Sequence, residues 1–172
     1  KLLSGVPADK LPEVLRLFNK MATEICEGQQ YDVDFESQSH VTIDEYLNMI
    51  RLKTSVLLAT ALQIGAYVAG ADTPTQEALY QFGIAVGLAF QIQDDILDVW
   101  GDPKTFGKAV GGDISCNKKT FVYLEAMRRL GDEANTLESW YSQVLEDNTE
   151  KIAAVKAIFE QLRVREACEA VV

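Results

Sequence analysis

The stretch FQIQDDILDVWGDPKTFGKAVGGDISCNKKT, residues 90–120, decides how the rest of the chain is interpreted. Its first part has helical periodicity and carries carboxylates, and its second part is a glycine-rich loop that carries lysines. On a helix, Gln91, Asp94, Asp95 and Asp98 share one stripe, and apolar residues take the remaining circumference. Because like charges at these spacings repel each other, the stripe predicts that a cation binds there.

The chemistry of this stripe predicts a divalent metal ion. Hard divalent cations prefer carboxylate oxygens, and Mg²⁺ is usually held by one or two carboxylates together with water and phosphate oxygens. We therefore predict that the three aspartates bind Mg²⁺, or Mn²⁺ in its place, next to a phosphate. The glycines of the loop would bring Lys108 and Lys118, with Lys119 as a third candidate, over the metal. The alternative is an acidic helix end followed by a solvated basic turn.

Composition and charge limit the class of protein. The 172 residues are long enough for a substantial core, and 48% of them are hydrophobic. The net charge of −10 argues against a nucleic-acid partner, which requires a basic face. Cys26, Cys116 and Cys168 have no metal-ligand spacing and indicate reduced thiols in a cytoplasmic protein. No apolar run approaches the length of a membrane span, so no stable membrane insertion is expected.

Helical periodicity dominates the sequence and predicts an all-α fold, a bundle of about six helices. Helices are predicted for residues 12–30, 42–69, 73 to the aspartates, and about 118–130, 133–146 and 149–167. A capping box of Thr42 with Glu45 opens the second helix, and Thr73 with Gln76 opens the third. A polar loop is predicted from Phe35 to Val41. The first helix is expected to bury Leu15, Phe18, Met21, Ala22 and Ile25.

Lys53 is the most informative single charge outside the quoted stretch. A regular helix from Thr42 surrounds it with apolar side chains and places Ser55 on the opposite side. The residues expected to share its face are Tyr46, Met49, Ile50, Val56, Leu57, Thr60 and Ile64. Because a buried ammonium group is costly without a partner, Lys53 is predicted to belong to the same site as the aspartates. The alternative is that its stem packs in the core and its amine reaches solvent or an acid.

Several motifs in one order resemble a known family. Phe90-Gln91, the DDxxD of residues 94–98, Gly107-Lys108, the GxD of residues 111–113 and the KxT of residues 118–120 resemble the second aspartate-rich motif and following loop of the trans-prenyl diphosphate synthases. That family includes farnesyl and geranylgeranyl diphosphate synthases. Lys53-Thr54 resembles its Lys-Thr pair, and Gly28-Gln29 with Asp32 resembles its GQxxD motif.

The resemblance implies an activity and partners. It implies head-to-tail prenyl transfer, in which an allylic diphosphate ionises and the double bond of isopentenyl diphosphate attacks its carbocation. It also implies Mg²⁺ as cofactor, a homodimer and the C-terminal part of an isoprenoid synthase fold. Gly83 and Gly87 either permit close helix packing or, at Gly87, leave a gap that admits an apolar chain.

The resemblance also implies residue roles. Asp94 would be the direct metal ligand, and Asp95 and Asp98 would bind metal or metal-bound water. Gln91 and Thr54 would direct their oxygens at the carbocation. Diphosphate or substrate binding is implied for the remaining set: Lys53, Lys108, Lys118, Phe90, Gln29, Asp32 and Asp113. Within that set, Lys118 and Asp113 would orient the loop.

One departure from the family pattern is large. Family members carry a first aspartate-rich motif followed by an arginine pair, and this chain has no second DDxxD. Residues 1–172 are therefore predicted to be a single partial domain, the C-terminal half to two thirds of the family domain, inactive on its own. Two other classes remain open: a noncatalytic regulatory subunit and an acidic helical interaction module without a ligand. A terpene cyclase would share the metal chemistry, but the two lysine motifs favour elongation.

Overall fold

The computed structural model describes residues 5–107 and 110–172, and all regular structure in these ranges is helical. The α-helices are α1 (Leu11–Ser37), α2 (Ile43–Ile50), α3 (Val56–Ala69), α4 (Thr73–Trp100), α5 (Pro103–Phe106), α6 (Gly112–Ser115), α7 (Phe121–Leu130), α8 (Asn135–Tyr141), α9 (Thr149–Gln161) and α10 (Val164–Glu169). A π-helical turn, Arg51–Ser55, joins α2 to α3, and a 3₁₀ turn, Gly131–Glu133, follows α7. The predicted all-α class is confirmed.

The chain divides into two compact units. The first contains the described residues up to Val33 together with Leu47–Leu88, and the second contains Asp34–Tyr46 together with Ala89–Val172. The buried apolar residues of the first unit are Val14, Leu17, Met21, Met49, Ile50, Leu52, Val56, Ala59 and Ala66. Those of the second include Phe35, Tyr46, Ile92, Ile96, Val99, Ile114, Phe121, Val122, Leu137, Val155, Phe159 and Val164.

The start and end of the long helix Ile43–Ala69 agree with its predicted signals. The backbone N–H of Thr42 donates to Glu45 Oε2 at 2.8 Å, and the Glu45 N–H donates to Thr42 Oγ1 at 3.2 Å, which is the predicted capping box. Gly70 ends the helix in the left-handed region with φ +83°. The predicted box at Thr73 is wrong, because Asp72 caps α4 instead by accepting from the Thr75 N–H at 3.0 Å.

The π-helical turn changes which side chains of this helix are buried. The Val56 N–H bonds to the carbonyl of Arg51, five residues back, so the turn contains one residue more than an α-helical turn. The extra residue rotates α3 relative to the face expected from a regular helix. Ser55, predicted on the polar side, is buried, and Leu57, predicted beside Lys53, is 52% exposed. Beyond the turn, the expected face around Lys53 is therefore wrong at Leu57, whereas Val56 and Thr60 are buried as predicted.

Helix α1 is longer than predicted, and of its predicted buried stripe only Met21 is buried. It continues to Ser37 and so includes the first part of the predicted polar loop. Val14, Leu17 and Met21 are buried, whereas Leu15 and Phe18 are exposed. Both stripes satisfy helical periodicity, and the position of the packing partners selects between them.

The helix after Asn148 is also interrupted. The sequence pattern predicts one helix over residues 149–167, but α9 ends at Gln161 and α10 begins at Val164. Arg163 between them has a left-handed φ of +52°, which no glycine signals in the sequence. Arg129 of α7 donates to the carbonyl of Leu162 at 2.9 Å and binds the end of α9.

Gly83 and Gly87 allow α4 to lie directly against α3 and the π-helical turn before it in the first unit. A Cβ atom at Gly83 would lie 2.4 Å from the Cα of Ala59, and one at Gly87 would lie 2.5 Å from the Cα of Ser55. Both distances are too short for any side chain. Close helix packing, one of the two predicted roles, is therefore confirmed, and the alternative of a gap at Gly87 is wrong because Ser55 occupies that space.

One helix in the described part of the chain, Ile43–Ala69, is long and apolar enough to cross a membrane by length and composition alone. The sequence pattern alone did not reveal this apolar run. Its most apolar 18-residue window is 33% buried inside the protein. The helix also carries Lys53 in an ion pair with Asp32.

Substituting Gly83→Ala should destabilise the protein by about 1–3 kcal/mol, because the added methyl group would overlap the backbone of α3. Gly65→Ala is the matched control, since Gly65 is also helical and a methyl group added there would have no atom within 4 Å. That control should stabilise the protein by about 0.5–1 kcal/mol through helix propensity. Urea unfolding measures both changes. Equal effects of the two substitutions would contradict the close packing of α4 on α3.

Candidate functional site

In the first unit, Lys53 forms an ion pair with Asp32 of α1. Lys53 Nζ lies 2.6 Å from Asp32 Oδ2, and both side chains are half-buried. This contact satisfies the requirement that a partly buried ammonium group have a partner. The acid comes from α1, four residues after Gly28.

Gly28 makes this ion pair geometrically accessible. A Cβ atom there would lie 2.4 Å from the backbone nitrogen of Lys53 and 2.8 Å from the carbonyl carbon of Leu52. Helix α1 can therefore touch the backbone of the π-helical turn only where it has a glycine. One helical turn later, Asp32 reaches the Lys53 amine. The sequence GQxxD thus has a local physical explanation, in which Gln29 lies on the exposed side of α1.

Two neighbours of Lys53 on the π-helical turn differ in their surroundings. Thr54 is half-buried. Ser55 is fully buried, and its Oγ has no hydrogen-bond partner within the described residues. The π-helical turn itself was not predicted, because nothing in the residue pattern RLKTS distinguishes it from a regular helical turn.

In the second unit, the three aspartates of α4 have unequal environments. Asp95 is 3% exposed and Asp98 is 9% exposed, whereas Asp94 is half-buried. Phe90, at the start of the quoted stretch, has a 62% exposed ring. The aspartates of the single stripe predicted from helical spacing therefore differ in how deeply the tertiary structure buries them.

Asp95 is directed into the protein and is held by three donors. The Tyr46 hydroxyl donates to Oδ2 at 2.5 Å, the Phe121 backbone N–H donates to the same oxygen at 3.0 Å, and Gln91 Nε2 donates to Oδ1 at 3.3 Å. Burial raises the pKa of Asp95 to about 7, and these hydrogen bonds oppose the rise. Burial and the charge of Asp95 hold the pKa of Tyr46 well above its usual value, so the hydroxyl keeps its proton and donates.

Asp98 holds the loop that follows α5. The Asp113 backbone N–H donates to Asp98 Oδ2 at 3.0 Å, and the Gly111 N–H donates to the Asp98 carbonyl at 2.7 Å. Burial raises the pKa of Asp98, and the neighbouring charges of Asp113 and Asp94 act in the same direction. A methyl group at Gly112 would lie 3.3 Å from Asp98 Oδ1, so the loop backbone approaches the carboxylate closely.

The loop lysines have distinct partners. Lys118 Nζ lies 3.3 Å from Asp113 Oδ1, and the Lys118 N–H donates to the Asp113 carbonyl at 2.9 Å. These two residues, predicted to orient the loop, are thus in contact. Lys119 instead donates to the carbonyl of Phe35 at 2.8 Å. Lys108 lies outside the described residues.

The second unit offers oxygen ligands for a hard cation. Within residues 5–107 and 110–172, no group of three or more His, Cys, Asp or Glu side chains converges into a metal site made by protein alone. Mg²⁺, however, is usually held by one or two carboxylates and completes its shell with water and phosphate. Asp94 and Asp98 fit that requirement, since their mutual repulsion would be relieved by a cation. Asp95 fits it less well because Tyr46 and Phe121 occupy Oδ2.

Tyr46→Phe should destabilise the protein by about 1.5–3 kcal/mol at pH 9, because a buried carboxylate loses a hydrogen bond. The pKa of Asp95, about 7, is above the value near 4 of an unfolded chain, so its contribution to stability is full below pH 4 and lost as the pH rises through 7. Removing the hydroxyl raises this pKa further. The destabilisation should therefore be smaller at pH 5 and grow towards pH 9.

Urea unfolding at several pH values, in the presence of a chelator, measures this change. Tyr123→Phe is the control, since Tyr123 is buried and its hydroxyl donates to no carboxylate in the described part of the chain. Its effect should not vary with pH in the same way. A pH-independent cost of Tyr46→Phe would contradict the coupling to Asp95.

The chain is similar to proteins of one known family. The family model described as polyprenyl synthetase matches residues 1–162. A geranylfarnesyl diphosphate synthase of Natronomonas pharaonis is 47% identical over 123 residues, which are 72% of this chain and 36% of that protein. A short chain isoprenyl diphosphate synthase of Methanothermobacter thermautotrophicus is 35% identical over 164 residues, 95% of this chain and 50% of that protein.

Solved structures give the same result. A crystal structure of a geranylgeranyl pyrophosphate synthase has a TM-score of 0.90 and 48% identity, covering 96% of this chain and 52% of that one. A geranylgeranyl pyrophosphate synthase from Corynebacterium glutamicum, complexed with isoprenyl diphosphate and magnesium, has a TM-score of 0.86 and 29% identity, covering 98% and 48%. The chain therefore spans about a third to a half of the length of the proteins that it matches.

Proposed function

Because the chain belongs to the polyprenyl synthetase family, we propose that it forms part of an enzyme that transfers prenyl groups head to tail. The substrates would be isopentenyl diphosphate and an allylic diphosphate. The allylic C–O bond breaks and diphosphate leaves, a C–C bond forms with the double bond of isopentenyl diphosphate, and a proton is lost. The main physical demand on the protein is to stabilise the charge of the departing diphosphate.

The docking of the loop on Asp98 is the observation that best supports this proposal. It places Asp113 and Lys118 in contact and keeps the loop backbone against Asp98. The carboxylates proposed to bind a metal and the amine proposed to bind a phosphate therefore lie in one small part of the second unit. A divalent cation held by Asp94 and Asp98, proposed to be Mg²⁺ with Mn²⁺ as alternative, would supply neutralisation of diphosphate charge.

Individual roles are proposed from the family motifs together with the contacts of the described residues. We assign Lys53, Lys108 and Lys118 to diphosphate binding, since a lysine acts on phosphate as a mobile point charge. Asp32 would keep the Lys53 amine oriented through their ion pair. Gln91 and Thr54 would direct oxygens at the carbocation, and Asp95 would anchor α4 to Tyr46 and Phe121. Phe90 and Gln29 have exposed side chains that would contact substrate.

We also propose that the enzyme is a cytoplasmic homodimer. All three cysteines are free, as expected for reduced thiols. The first unit exposes large apolar side chains that a partner surface would cover, namely Leu57, Leu58, Leu62, Phe82 and Val86. Association through such a face would bury area that is otherwise in contact with water.

Residues 1–172 alone are proposed to be inactive, because a second DDxxD is missing from them. The protein at its full natural length should convert isopentenyl diphosphate and an allylic diphosphate into a longer product when Mg²⁺ is present. Chelation should abolish the reaction, and added Mg²⁺ should restore it. Chromatography of the products measures both. Absence of product at full length would favour a noncatalytic subunit or an interaction module.

Lys53→Ala should lower kcat/KM by at least about 100-fold, since it removes a charge proposed to bind diphosphate. Arg51→Ala is the matched control on the same π-helical turn, where Arg51 donates to Asn48 at 3.1 Å. That control should stay within about threefold of the unmodified enzyme. Steady-state kinetics measure kcat/KM for both variants. Equal losses would mean that Lys53 contributes to the structure of the turn and not to diphosphate binding.

A further inference from the structure

The first observation concerns Lys151 near the start of α9, which is 0% exposed. Lysines are rarely buried to this extent because their ammonium group loses its hydration. No carboxylate in the part of the chain that the structure describes lies within ion-pair distance of it. Its Nζ instead donates to Asn117 Oδ1 at 2.5 Å and to the Gln143 carbonyl at 3.1 Å, and it lies 5.9 Å from the ring centroid of Tyr141.

Lys151, Asn117 and the Gln143 carbonyl are all hydrogen-bonded to one another. Asn117 Nδ2 donates at 3.0 Å to the same Gln143 carbonyl that accepts from Lys151. Asn117 has a left-handed φ of +56°, a conformation that costs energy for a residue other than glycine. The lysine therefore fixes both the side chain and the backbone of a residue that is directly bonded to Lys118.

The loop held by Lys151 is the one that docks on Asp98. At its other end, Gly111 and Asp113 donate to Asp98, and Asp113 pairs with Lys118. The residue after Lys151, Ile152, packs on Gly111 so closely that a methyl group there would lie 2.8 Å from Ile152 Cγ2. Two consecutive residues of α9 thus hold both ends of the segment from Gly111 to Lys118.

We propose that Lys151 is a positioning residue for diphosphate binding, whose buried ammonium group holds Asn117 and thereby keeps Lys118 beside Asp113. This inference rests on the proposed function, in which Lys118 binds diphosphate. A group that stabilised only the fold would not need a charge at this place, since an apolar side chain of similar volume in place of a buried charge is often neutral or stabilising. The cost of burying the ammonium group is offset by the order that it imposes on the loop.

The experiment measures the binding of inorganic pyrophosphate with Mg²⁺ to the full-length protein by calorimetry, so that turnover is not needed. Lys151→Met should weaken binding about tenfold, the range seen when groups that orient binding residues are removed. Its urea midpoint should be unchanged or higher. Combined with Lys118→Ala, it should weaken binding no further than Lys118→Ala alone, because Lys151 acts through Lys118. Lys156→Met, on the same helix, is the control and should bind normally.

A second variant tests the same link from the loop. Asn117→Gly keeps the left-handed backbone without strain but removes the amide that Lys151 binds. It should weaken pyrophosphate binding to a similar extent. If Lys151→Met fails to fold, this variant alone tests whether the contact between Lys151 and Asn117 supports pyrophosphate binding.

Three results would overturn the inference. One is normal binding by both Lys151→Met and Asn117→Gly while Lys118→Ala binds weakly. Another is additive losses in the double variant. Failure of the unmodified protein to bind pyrophosphate would overturn the proposed function, and this inference with it.

Discussion

The hydrogen bond from the Asp113 backbone to the Asp98 carboxylate is the contact that ties the loop of the second unit to α4. It acts together with the burial of Ile114, which lies in the core of the second unit one residue after Asp113. The loop must be fastened because its glycines make it flexible when free. Burial makes the carboxylate costly to ionise, and the N–H donor offsets part of that cost. The same contact serves the fold and places the loop beside a carboxylate that, in the proposed function, would bind the cation.

Close backbone approach performs the corresponding task in the first unit. Gly28 allows α1 to touch the π-helical turn. Gly83 allows α4 to touch α3, and Gly87 allows it to touch Ser55 of the same turn. Each contact brings main chains nearer than any side chain would permit. One result is that Asp32 reaches Lys53 and pairs with it. An irregular turn with an added residue is tolerated because helices pack against it without a gap.

Buried charge is used unevenly in this protein. Asp95 receives a hydroxyl and a backbone donor, which offset part of the cost of burying its charge, although burial still raises its pKa to about 7. Lys151 has only neutral acceptors among the described residues, so no opposite charge offsets the loss of its hydration. Both groups lie next to segments that carry the proposed ligands. Burying these two charges lowers the stability of the fold, and their hydrogen bonds fix the positions of the loop and of α4.

Local patterns were sufficient for the all-α class, the family and the capping box at Thr42, because each depends on residues close in sequence or on ordered motifs. Tertiary structure decided between arrangements that those patterns allow equally well. Two stripes of α1 satisfy helical periodicity, and packing selected the one with Val14 and Leu17. Spacing placed three aspartates on one stripe, but Tyr46 and Phe121, which are distant in sequence, turned Asp95 inward. The π-helical turn likewise has no local signal, since its stability comes from the helices packed against it.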